Sequence, residues 1–113
     1  MKNTGWKIKV IFMCDNMEMR EMMEKTLDEL ILPRNLGVSA YELFKSAIIE
    51  PKMARCDCKN TLASSIYITA VKSGHKVTKT QVAKTVGIPI STISVMTKNI
   101  AQNVDIDGVL GCK

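Results

Sequence analysis

Residues 78–100 read TKTQVAKTVGIPISTISVMTKNI and decide the fold of this chain. Thr78 and Gln81 have the spacing of a capping box, in which each partner satisfies a backbone N–H group that a new helix leaves unpaired. Gly87 stands where a short helix ends in a left-handed turn. A second helix is predicted to begin near Pro89, because proline fits the first position of a helix. The spacing therefore predicts a helix-turn-helix.

The apolar residues of this segment fit the packing of a helix-turn-helix, in which a small residue in the first helix lets the second pack across it. The residues at the packing and turn positions are Ala83, Gly87, Ile88, Ile93 and Met96. The first helix is predicted to bury Val82, Ala83 and Val86. The second is predicted to run to about Val104 and to bury Ile93, Met96, Ile100 and Val104. Its opposite face presents Ser91, Ser94, Val95, Lys98, Asn99 and Gln102.

Charge is unevenly distributed along the chain. Residues 59–104 contain six lysines and no aspartate or glutamate, although the net charge of the whole chain is +5. Eight of the eleven acids lie between residues 15 and 50, so the basic excess belongs to the second half. A helix pair with lysines and no acids is suited to lie against a polyanion. The same charge pattern taken alone also fits an ordinary solvated surface.

Apolar periodicity predicts three further helices before residue 75. The first is capped by Asp15 or Asn16, ends at Pro33, and has its apolar residues at Met19, Met22 or Met23, Leu27, Leu30 and Ile31. The second begins at Pro33, stops at Pro51, and has an apolar face of Val38, Tyr41, Leu43, Phe44, Ala47 and Ile48. The third follows Asp57 or Asn60 and ends at Gly74. Its small residues fit a helix surrounded by others, with Tyr67 in the core.

The fold class predicted from these patterns is all-α, with five helices in a single domain over residues 15–107. At 113 residues the chain is large enough to bury one core of its own. Residues 1–14 are predicted to be an N-terminal arm, in which residues 6–12 could form a short strand. Residues 108–113 are predicted to be a flexible tail.

Several function classes are disfavoured by the sequence. Structural zinc sites use paired C-x-x-C spacing, which does not occur at Cys14, Cys56, Cys58 or Cys112. Reduced thiols are therefore predicted in preference to a metal site or a disulfide. No apolar run approaches the roughly 18 residues that span a membrane, and a cytoplasmic protein is predicted. His75 is the only histidine, and no nucleophile or phosphate-loop motif accompanies it, so neither an enzyme nor a cofactor is predicted.

Beyond the helix-turn-helix, residues 16–107 resemble one cyclin-like repeat of the transcription factor IIB family, which includes archaeal factor B. LDELILPRNLGVSAYELF at 27–44 is similar to the family's helix ending in Leu-Pro and the amphipathic helix that follows it. LASSIYITAVKSGH at 62–75 is similar to its Ala-rich central helix, and residues 78–100 are similar to its terminal helix-turn-helix. The resemblance implies a five-helix, cyclin-like domain that touches promoter DNA beside the TATA-binding protein and helps to recruit RNA polymerase.

The resemblance also implies which residues contact DNA. In the family's second repeat the last helix enters the major groove next to the TATA element. By position, the base-facing candidates are Ser91, Ser94, Val95 and Lys98, with Asn99 and Gln102 on the same face. The candidates for phosphate contact are Lys76, Lys79, Thr80, Gln81 and Lys84.

Three departures from the family pattern shape what is expected. These residues match one repeat, and neither the family's zinc ribbon nor its second repeat, so an initiation regulator is expected rather than a complete initiation factor. Pro89 replaces the serine that usually caps the recognition helix. The exposed face of that helix contains no arginine, the residue that makes the commonest base contact. Phosphate contacts are therefore expected to dominate over base reading.

Two functions remain open at this point. The first is a DNA-binding transcription factor of archaeal or archaeal-virus origin, associated with the nucleoid in the cytoplasm. The second is a protein-interaction module that docks on RNA polymerase or the TATA-binding protein without reading DNA, since cyclin-like domains also serve as docking surfaces. A homodimer formed through residues 6–12 is a further hypothesis, because family members usually use two repeats together.

Overall fold

The structure is a computed structural model and describes residues 17–53 and 57–110. Within those ranges every regular element is helical, which confirms the all-α class predicted from the sequence. The elements are α1 (Met17–Glu29), α2 (Arg34–Ile48), a 3-10 turn (Pro51–Met53), α3 (Cys58–Lys72), α4 (Lys79–Val86), α5 (Ile90–Asn103) and α6 (Ile106–Leu110). The predicted N-terminal strand and the proposed caps of the first helix, Asp15 and Asn16, lie outside the described residues.

The centre of the domain is α3, which packs against α1, α2, α4 and α5. Its buried residues are Thr61, Leu62, Ala63, Ser64, Ser65, Ile66, Ile68, Thr69 and Ala70. Two of its buried hydroxyls donate to carbonyls one turn earlier, Ser65 Oγ to Thr61 O at 2.8 Å and Thr69 Oγ1 to Ser65 O at 2.8 Å. The prediction that this helix is surrounded by others is therefore confirmed.

Three clusters of buried apolar side chains hold the helices together. The first joins α1, α2 and α3 around Phe44, Leu62 and Ile66. The second joins α2, α3 and α5, with partly buried residues of α6 against it, and is built on Leu43, Ile68, Met96 and Ile100. The third joins α3, α4 and α5 through Ala63, Val82, Ala83, Val86 and Ile93. This third cluster fixes the helix-turn-helix on the rest of the domain.

Two predicted core positions, Val38 and Ile31, are exposed. In α2, Gly37 faces α1 so closely that a Cβ there would lie 2.5 Å from Leu27 Cδ1. Because successive helix residues are about 100° apart, Val38 points away from α1 and is 67% exposed. Helix α1 ends at Glu29, and Ile31 then adopts a φ of 55° and is 89% exposed. The apolar periodicity did not reveal where α1 ends.

The C-terminal segment contains a further helix that the sequence does not predict. Residues 106–110 form α6, whereas the sequence predicts a flexible tail from residue 108. Ile106, Val109 and Leu110 pack against the second cluster. Lys72 Nζ lies 3.1 Å from Asp107 Oδ1 and ties α6 to the end of α3. A helix of five residues is stabilised by such tertiary contacts rather than by its own propensity.

The redox state of Cys58 corrects another prediction. Cys58 is the first residue of α3, and it is disulfide-bonded rather than reduced. The other three cysteines, Cys14, Cys56 and Cys112, lie outside the described residues. The prediction of reduced thiols rested on spacing along the chain and on redox compartment, whereas disulfide pairing depends on which cysteines the fold brings together.

Candidate nucleic-acid interface

Helix α4 begins with the predicted capping box. Gln81 N donates to Thr78 Oγ1 at 3.1 Å, and Thr78 N donates to Gln81 Oε1 at 2.9 Å. Both backbone donors are therefore satisfied within the first turn. The Gln81 side-chain oxygen accepts a hydrogen bond within this cap. The side-chain NH2 group of Gln81 is the group that could donate to a phosphate.

The turn between α4 and α5 depends on Gly87. Its φ is 86°, in the left-handed region where glycine has no Cβ penalty. Gly87 N donates to Ala83 O at 2.8 Å, and Ile88 N donates to the same carbonyl at 3.0 Å. The inward residues of α4 are Val82, Ala83 and Val86, all buried as predicted. The helix-turn-helix predicted from local spacing is present in the structure.

Helix α5 crosses the domain with one face buried and the other accessible. Ile93, Met96 and Ile100 are buried as predicted, and Val104 is half-buried at the end of the helix. The accessible side, called the outer face of α5 below, comprises Ser91, Ser94, Val95, Lys98, Asn99 and Gln102. Of these, Ser94 and Asn99 are half-buried and the other four are exposed. The helix-turn-helix therefore presents these six predicted contact residues on one side of a single helix.

Four lysines of this segment, Lys76, Lys79, Lys84 and Lys98, are called the interface lysines below. In the part of the chain that the structure describes, none of the four forms an ion pair. Elsewhere lysine and arginine side chains do pair with acids, as for Lys45 Nζ and Glu42 Oε2 at 3.3 Å. Unpaired cations on an acid-free segment produce a positive field that attracts phosphates.

The N-terminal ends of α4 and α5 add to the positive field of the interface lysines. Neither α4 nor α5 carries an acid in its first turn, and Pro89 precedes α5 without any side-chain cap. The N-terminal end of a helix carries a partial positive charge, which acids commonly neutralise. Thr80, in the first turn of α4, is exposed. The positive ends of both helices therefore add to the charge of the four interface lysines.

One contact at this surface joins residues that are distant in sequence. Lys79 Nζ lies 5.9 Å from the centroid of the Tyr67 ring, within the range of a cation–π interaction. The sequence predicts Tyr67 in the core, whereas the residue is half-buried. The two residues belong to α3 and α4, and nothing in their spacing indicates the contact.

Other candidate sites lie elsewhere or are not formed. An open groove of about 390 Å³ runs between α1 and α2, and none of its lining residues belongs to α4 or α5. Across residues 17–53 and 57–110, no group of three or more His, Cys, Asp or Glu side chains is placed to hold a metal ion. Over the same ranges no helix combines the length and apolar character needed to cross a membrane.

Comparisons with protein-family models, curated proteins and solved structures find no significant match to this chain. The resemblance to the transcription factor IIB family rests on the quoted residues, and membership of that family stays a hypothesis.

Proposed function

We propose that this chain is a DNA-binding regulator of transcription initiation, of the transcription factor IIB type, that contacts duplex DNA through its helix-turn-helix. One observation carries the proposal. The helix-turn-helix is framed by four lysines without ion pairs among the described residues, on a segment that contains no acid. Electrostatic attraction to phosphates supplies most of the affinity of proteins that bind DNA without sequence preference.

The residues divide into those suited to phosphates and those suited to bases. Lys76, Lys79 and Thr80 lie at or near the start of α4, and Lys84 lies in its last turn. All four offer donors to the phosphate backbone. The outer face of α5 offers short polar side chains, one lysine, and the apolar Val95, but no arginine. A bidentate base contact by arginine or lysine contributes about 1–3 kcal/mol of discrimination, and lysine's point charge suits it less well. The proposed DNA complex is therefore held mainly by phosphates.

The proposal is tested by an electrophoretic mobility shift of duplex DNA across a salt series. If each of the four interface lysines neutralises one phosphate, log Kobs should fall against log salt with a slope of about −3.6. Binding should then weaken by about a hundredfold between 50 and 200 mM salt. A chain that does not shift duplex DNA at 50 mM salt does not have this function.

A second candidate function is favoured by two exposed apolar side chains. Ile90 is 47% exposed and Val95 is 56% exposed, both on α5. Exposed apolar side chains can contribute to the buried core of a protein interface. In this alternative α5 docks on RNA polymerase or the TATA-binding protein. Binding to either purified protein, with no binding to duplex DNA at 50 mM salt, would favour this function over the first.

A further inference from the structure

Lys79 differs from the other three interface lysines in how its side chain is held. Lys76, Lys84 and Lys98 are exposed, whereas Lys79 is half-buried at the first position of α4. Its ammonium group lies 5.9 Å from the centroid of the Tyr67 ring. The other three have no ring contact among the described residues. Lys79 is therefore the interface lysine whose position is most restricted before any ligand binds.

The ring that Lys79 contacts is itself fixed by the fold. Tyr67 projects from α3, the central helix, and packs against both the second and the third core clusters. Those clusters include Met96 and Ile93 of α5 and Val82 of α4. A ring held between three helices has little freedom to turn, so the position of its face is set relative to the helix-turn-helix.

An aromatic partner has a different consequence from an acidic one. A carboxylate would neutralise Lys79 and compete with a phosphate for the ammonium group, whereas the ring attracts the cation through its quadrupole and leaves the charge in place. A free lysine side chain also loses rotamer entropy when it is fixed. The ring reduces that loss because Lys79 is already restrained.

We infer that Tyr67 is a positioning residue whose ring holds the Lys79 ammonium group in place for a phosphate of bound duplex DNA. The inference rests on the proposed function and adds to it a residue outside the helix-turn-helix. It explains why a tyrosine of the central helix is only half-buried. It also assigns unequal roles to the four interface lysines, with Lys79 preorganised and the other three adaptable.

The test is a double-mutant cycle on the dissociation constant for duplex DNA at fixed salt. Tyr67→Leu should weaken binding about two- to fivefold, the range of an exposed cation–π contact, and Tyr67→Phe should restore native affinity. In a Lys79→Gln background, Tyr67→Leu should have no further effect. In the matched Lys84→Gln background, which removes the same charge away from the ring, the full effect of Tyr67→Leu should persist.

Each contrary outcome identifies which claim fails. If the native chain does not bind the duplex, the proposed function and this inference fail together. If the native chain binds but Tyr67→Leu weakens binding equally in the Lys79→Gln background, Tyr67 acts through the fold and only this inference fails.

Proton NMR of the free protein gives a second readout, because the Lys79 side-chain methylene signals should be shifted by the ring current and return to ordinary values in Tyr67→Leu. Unshifted signals in the native chain would overturn the inference.

Discussion

Replacing Lys79, Lys84 and Lys98 together by glutamine should abolish detectable binding to duplex DNA at 150 mM salt. Each phosphate contact contributes about 0.9 to the slope of log Kobs against log salt, so losing three contacts should reduce that slope by about 2.7. The remaining interface lysine, Lys76, cannot sustain the complex alone. The measurement is a mobility shift or fluorescence anisotropy titration of the triple variant across the same salt series as the native chain.

A matched control separates this effect from a general loss of positive charge. Lys25→Gln, Arg34→Gln and Lys45→Gln, made together, remove the same three charges from α1 and α2, away from the helix-turn-helix. Arg34 and Lys45 each lie within 4 Å of an acid, and such exposed ion pairs contribute little to stability. The control variant should therefore fold and bind DNA nearly as well as the native chain. Equal losses in the two variants would show that the four interface lysines do not form a docking surface.

Replacing Ile93 by alanine should cause a large loss of folding stability. Ile93 is fully buried in the third core cluster, where it packs α5 against α3 and α4. Truncating a buried isoleucine to alanine costs about 2–5 kcal/mol, because the transfer energy of the side chain is lost and a cavity remains. Chemical denaturation of the native and variant proteins, followed by far-UV circular dichroism, measures this change in the free energy of unfolding.

Val95→Ala provides the control for this prediction on the same helix. Val95 lies two residues after Ile93 but is 56% exposed on the outer face of α5, so its truncation should change stability by no more than about 0.5 kcal/mol. Alanine has a higher helix propensity than isoleucine or valine. The difference in stability loss between the two variants therefore measures the effect of burying the side chain. Similar losses at Ile93 and Val95 would mean that α5 does not pack in this orientation.

The parts of the fold that sequence predicts well are those with local signals. The capping box at Thr78 and Gln81 and the left-handed glycine at Gly87 each involve residues within one turn of each other, so spacing is enough to identify them. The buried face of α5 follows from periodicity over four turns. The outer face of α5 is predicted as its complement, and the structure places all six of its residues at positions that are at least partly accessible.

The parts that sequence does not predict depend on contacts between distant elements. The periodicity of α2 includes Val38, but the close approach of Gly37 to Leu27 turns Val38 towards solvent. Helix α6 is too short to show a period and is held by packing on the second core cluster. The contact of Lys79 with Tyr67 likewise joins separate segments.

The proposed DNA site has more groups that contribute to affinity than groups that contribute to sequence specificity. The four interface lysines offer strong, salt-dependent attraction, whereas the outer face of α5 offers few groups that distinguish one base from another. A regulator of this kind would obtain its sequence preference from a partner bound beside it on DNA, as the resemblance to the transcription factor IIB family implies for the TATA-binding protein. Its own contribution would be to fix the position of that complex on the duplex.

The most direct test of the proposed DNA interface is an NMR titration of duplex DNA into uniformly 15N-labelled protein at low salt. Backbone amide shifts are expected in the loop at Lys76, in the first turn of α4 and along the outer face of α5, with little change in α1 and α2. This result would locate the bound duplex on the helix-turn-helix without any mutation. An unchanged spectrum, or shifts concentrated on α1 and α2, would contradict the proposed interface.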